Sequence, residues 1–142
     1  MPAIHFFEED IRFNLKNKNK LKAWIKSTIA NEGYWLNEIN YIFCSDSYLL
    51  NINQQYLAHD TYTDIITFDN AEKENVIEGD IFISIERIRE NAEKFEAGFN
   101  NELHRVIIHG TLHLLGYKDK KPADKALMTS KEDQYLATRN FT

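Results

Sequence analysis

The stretch IIHGTLHLLGYKDKK, residues 107–121, carries the side chains best suited to chemistry, His109, His113 and Asp119. Histidines four apart on a helix share one face, about 5–6 Å from each other, so both imidazoles can reach a single metal ion. Such pairs also arise on ordinary surfaces and in satisfied cores. The continuation singles this one out. Gly116 lets the chain leave the helix and double back, so Asp119, ten residues after the first histidine, can close the site from outside. Its neighbours Lys118 and Lys120 are protonated at neutral pH and have no lone pair to donate. Two imidazoles and a carboxylate satisfy zinc and leave a fourth position for water, the catalytic arrangement.

The same ligand arithmetic belongs to the H-E-x-x-H-x-x-G-x-x-H metalloproteases, in which a glutamate after the first histidine takes the proton from metal-bound water. Gly110 stands at that position here, so peptide hydrolysis by that route is not expected. An iron oxygenase also uses two histidines and one carboxylate. Its ligands are commonly spaced H-x-D with a distant histidine on a sheet-rich scaffold, and that pattern is absent.

A helix must carry the two histidines. Asn100 can cap one starting at Asn101, Glu102 suits its positive end, and Gly116 is placed to stop it. Its opposite face, Leu103, Val106, Ile107 and Leu114, is apolar and can anchor it. Upstream, the runs AIHFFE and INYIFCS read as strands, each followed by a helical pattern, over 11–33 and 46–57. DIITFD and DIFISI read as two more strands separated by the polar NAEKENVIEG, and helices are expected over 86–98, 101–115 and 122–138. Strands early and helices late give an α+β fold.

At 142 residues and 43% hydrophobic content the chain reads as one domain, 1–142, able to bury a core unaided. Cys44 is the only cysteine, so no intrachain disulfide is possible. The start MPAIHFFEED has neither a basic n-region nor a long apolar h-region, which points to the cytoplasm. No run of about 18 apolar residues exists, so no membrane span is expected. A net charge of -5 argues against non-specific coating of nucleic acid; any such contact should be local.

HGTLHLLGYKD resembles the H-G-x-L-H-L-x-G-Y-x-H signature of the YbeY family of bacterial endoribonucleases. LNINQQYLAHDTYTDIITF resembles that family's segment L-N-x-x-(Tyr/Phe)-Arg-x-x-Asp-x-x-T-D-V-L-S-F, GDIFIS its G-D-I-x-I strand, and ELHRVIIHG its arginine four residues before the first histidine. The resemblance covers most of residues 49–119, in the same order. It implies a zinc-dependent, single-strand-specific endoribonuclease acting in ribosomal RNA maturation and ribosome quality control, with ribosomal RNA or the small ribosomal subunit as partner. It also implies a zincin-like mixed four-stranded sheet, with one antiparallel edge strand and about five helices. The alternative is a non-catalytic assembly factor with a structural metal.

Two departures stand out. Asp119 replaces the family's usual third histidine, and Leu57 occupies the usual basic position. Arg105, one turn before His109, is the candidate to neutralise the scissile phosphate, and an ion pair with Glu102 or another carboxylate is its other reading. His59 is a second candidate for the missing basic group, or an exposed loop residue. Asp64 and Thr67 bracket a strand that borders the cleft in the resemblance, although Asp64 could simply cap a turn. Tyr117 could stack on an unpaired base or pack in the core. Asp80 reads as a turn residue, and the lysines at 16, 18, 20, 22 and 26 as a solvated face able to touch phosphates.

Overall fold

Alternation at period two decides the sheet. Ile39, Tyr41 and Phe43 of one strand and Ile77, Ile81 and Ile83 of its neighbour all turn to the same side and are essentially fully buried. On the reverse side Ile66, Phe68 and Phe82 meet Tyr48, Leu49 and Ile52 of a helix in a smaller cluster. The computed structural model describes residues 2–57 and 63–141. Among them the chain runs β1 (Ala3–Glu8), α1 (Lys18–Asn31), β2 (Trp35–Cys44), α2 (Asp46–Leu57), β3 (Ile65–Asp69), β4 (Val76–Ser84), α3 (Ile85–Lys94), α4 (Phe99–Leu114) and α5 (Pro122–Leu136). The sheet order is β1-β2-β4-β3; β1, β2 and β4 are parallel and β3 is the antiparallel edge. This is the α+β fold expected from the order of elements, and the mixed four-stranded sheet with helices around it that the resemblance implied.

Helix α4 lies against the sheet beneath β3 and β4. Its Leu103, Val106, Ile107 and Leu114 are buried, as the apolar spacing required. A buried hydrogen bond of 2.7 Å between the hydroxyls of Tyr41 and Thr111 fixes it along β2. Close approach depends on Gly110. A Cβ there would sit 2.7 Å from Ile65 Cδ1 and 3.0 Å from Ile81 Cγ2, inside van der Waals contact.

Several boundaries differ from the sequence reading. Helix α1 begins at Lys18 rather than near residue 11. Ile11, Phe13 and Leu15 recur at spacing two and turn to the core from non-helical chain, while Asp10 and Asn17 hold positive φ. Helix α4 starts at Phe99, with Gly98 rather than Asn100 at its N-cap, because Phe99 packs against Phe13 in the core. Helix α3 stops at Lys94, followed by Glu96 at positive φ. Strands β2 and β4 both begin earlier than expected, pairing Trp35 with Val76. Asp80 is inside β4, not a turn, and accepts hydrogen bonds from the side chains of Asn40 and Asn70.

Candidate metal centre

Helix α4 ends where the sequence placed its stop. Gly116 has φ 99°, its N–H bonds to the His113 carbonyl and the Tyr117 N–H reaches back to the Leu112 carbonyl, a Schellman closure. That turn carries Asp119 back beneath the histidines. The Nε2 atoms of His109 and His113 are 3.1 Å apart, and Asp119 Oδ2 lies 3.2 Å from one and 3.3 Å from the other. All three side chains are partly exposed.

The other nitrogen of each ring decides what this triangle can hold. His109 Nδ1 is 2.6 Å from a Glu132 carboxylate oxygen, and His113 Nδ1 is 3.0 Å from the Tyr117 carbonyl. Both partners accept, so each ring donates from Nδ1 and, when neutral, turns an Nε2 lone pair toward its neighbour. Two lone pairs and a carboxylate then face one another, and only a cation or an added proton between them relieves the repulsion. Ligands about 2.0–2.1 Å from a tetrahedral zinc ion stand roughly 3.3 Å apart, so the observed edges fit such an ion. Burial disfavours charge on His109, yet the hydrogen bond and charge of Glu132, together with Asp119 and Asp64, outweigh it and raise its pKa.

Two grooves meet at this point. One, of about 590 Å³, follows β3 and is lined by Asp64, Thr67, Asp69, Leu57 and Lys120. The other, of about 770 Å³, passes between α4 and α5 and is lined by Arg105, Lys125, Met128, Thr129 and Glu132. His109, Asp119 and Asp64 border both. Burial raises the Asp64 carboxyl above the usual range, and the charges of His109 and Arg87 only partly offset it.

Of the residues singled out in the sequence, His109, His113 and Asp119 come together, Asp64 and Thr67 lie on the groove beside them, and Arg105 lines the second groove. The Arg105 guanidinium is in ion pairs with Glu132 at 2.9 Å and Asp133 at 2.7 Å, which is the ion-pair reading of this residue with carboxylates of α5 as its partners. Tyr117 is turned away from both grooves. Its hydroxyl donates to Glu32 at 2.5 Å and Lys131 sits over its ring, so it braces the metal loop against α1 and α5 rather than offering a free face to a base. Leu57 puts an apolar side chain on the groove, and His59 lies outside the described residues. Sequence reasoning missed Glu132, and also Lys125 on the second groove.

The family model described as Endoribonuclease YbeY matches residues 4–140. A protein of that name from Cytophaga hutchinsonii is 50% identical over 139 residues, covering 98% of this chain and 97% of its own length. Another from Flavobacterium psychrophilum is 54% identical over 130 residues, 92% of either chain. Among solved structures, TM1509 from Thermotoga maritima superposes with a TM-score of 0.65 at 29% identity, covering 94% of this chain and 87% of that one. With the ligand triangle and the mixed sheet already in place, these matches assign the chain to the YbeY endoribonuclease family.

Proposed function

We propose that this protein is a zinc-dependent endoribonuclease that cuts single-stranded RNA in the maturation of ribosomal RNA and in ribosome quality control, in the cytoplasm, on the small ribosomal subunit or its RNA. The observation that carries the reading is the convergence of three ligand atoms at the junction of two grooves. Relatives near 50% identity bear the name endoribonuclease, which favours an enzyme over a purely structural assembly factor. A zinc ion held by His109, His113 and Asp119 would supply Lewis acidity toward a phosphoryl oxygen and a water acidified toward a pKa of about 7.

The chain's own groups do the rest. β3, paired among the described residues only with β4, leaves its outer edge to an extended strand of RNA, with Thr67 beside it. Lys120 and Lys125, one on each groove, neutralise the phosphates that Arg105 is too engaged to reach. Asp64, half-buried at the junction, is the carboxylate that takes or returns a proton at its oxygen. Purified protein should contain one zinc per chain and cleave a single-stranded RNA but not its duplex, with cleavage abolished by a chelator. Asp64→Asn should retain the metal and lose most of the cleavage. Metal-loaded protein that leaves single-stranded RNA intact would overturn the assignment.

A further inference from the structure

The inward stripe of α5 reads Met128, Glu132, Tyr135 and Leu136, spaced by helical turns and all buried. A carboxylate on that stripe is out of place unless something compensates its charge. The Glu132 side chain is 8% exposed and both of its oxygens are engaged: Oε2 faces His109 Nδ1 at 2.6 Å and Oε1 accepts from Arg105 at 2.9 Å. Asp133 receives the other end of the guanidinium at 2.7 Å. A chain of four groups therefore runs from the surface of α5 through Arg105 and Glu132 to one imidazole. The second imidazole has a weaker neighbour, since His113 Nδ1 meets only a neutral backbone carbonyl, that of Tyr117.

We infer that Glu132, backed by Arg105, is the positioning pair that fixes His109 as a metal ligand. The inference rests on the metal-centre reading above. A carboxylate partner at Nδ1 holds the ring in its plane and enforces the tautomer whose lone pair is on Nε2. It also makes the imidazole a stronger donor than a carbonyl partner can. Arg105 holds the second carboxylate oxygen of Glu132 at 2.9 Å and stops the side chain from turning away. Its task is thus exerted through Glu132 and not on the RNA.

Glu132→Gln tests the charge at nearly constant shape. An amide has one accepting and one donating end, so glutamine can serve His109 or Arg105 but not both. The probe is cobalt(II) as metal alone, with affinity read by chelator competition and ligand geometry read from the visible absorption bands. Glu132→Gln should weaken binding about 10- to 100-fold and shift the bands. Arg105→Met should act in the same direction by a smaller factor, and Arg105→Lys should recover part of the loss. If Glu132→Gln gives no folded protein, Arg105→Met carries the test, because it removes the guanidinium that stops Glu132 from turning away from His109. Parental affinity and parental bands in the Glu132 variant, or in Arg105→Met where that stands in, would leave Glu132 a purely structural residue. A parent that binds no cobalt overturns the metal centre and this inference with it, whereas a parent that binds cobalt without cutting RNA leaves the inference standing.

Discussion

Substituting alanine for Gly110 probes the closeness of helix and sheet on which the centre depends. The added methyl would lie 2.7 Å from Ile65 Cδ1 and 3.0 and 3.2 Å from two carbons of Ile81, where about 3.5–4.0 Å is comfortable. Ile65 is partly exposed at the groove and can rotate its terminal carbon away. Ile81 is fully buried and cannot. Overpacking of this kind costs about 1–3 kcal/mol. Replacing a mid-helix glycine by alanine returns about 1 kcal/mol of helix propensity. The net expectation is a loss of about 1 kcal/mol, which lowers Tm by about 3–5 °C for a chain of this size. Catalysis should suffer more than stability, because His109 is the adjacent residue and a misplacement near 1 Å can cost about 100-fold in rate. Thermal unfolding of metal-free protein and RNA cleavage by metal-loaded protein measure the two effects. Adding Ile65→Val removes the nearest clashing carbon and should restore part of each. An alanine variant as stable and as active as the parent would show that this contact does not limit the approach of α4. The same geometry explains why no metalloprotease base stands here: a glutamate would have to grow from a Cβ already pressed against Ile65.

Two further outcomes follow from individual groups. Asp119→Ala should cut the metal content at least tenfold while leaving the far-ultraviolet spectrum intact, because Asp119 is on a surface loop while α4 is anchored by Leu103, Val106, Ile107 and Leu114; metal analysis after dialysis decides it, and retention of parental zinc would place the third ligand elsewhere. His104 is 3% exposed and accepts a 2.7 Å hydrogen bond from Arg139, and burial, then the Arg139 charge, lowers its pKa to about 4. The unfolded chain, with an ordinary pKa near 6.5, binds this proton more readily, so the contribution is full above pH 6.5 and is lost as pH falls toward 4, by about 3 kcal/mol in total. Denaturant unfolding between pH 7.5 and 4.5 should show a steeper acid loss for the parent than for His104→Gln, and equal slopes would refute it.

What was legible in the sequence is what is local. His109, His113, Gly116 and Asp119 lie within eleven residues, and one helical period and one left-handed glycine suffice to bring the three ligands together. The strands were readable for the same reason, since a period of two is a near-neighbour pattern. Residues 11–15 show the converse: Ile11, Phe13 and Leu15 also alternate at two, yet the lysines and apolar groups that follow drew them into a helical window. Glu132 shows where local reading ends. An acid at the buried i+4 position after Met128 declares that it needs a counterpart. Nothing within α5 itself says that the counterparts are His109 and Arg105, 23 and 27 residues earlier. The packing of α5 across α4 makes that choice, and it gives the ion pair that the sequence offered for Arg105 its partner, a buried carboxylate on another helix. Charge on a helix face was visible from spacing; whether it faces substrate or a neighbouring helix depends on contacts that only the folded chain makes.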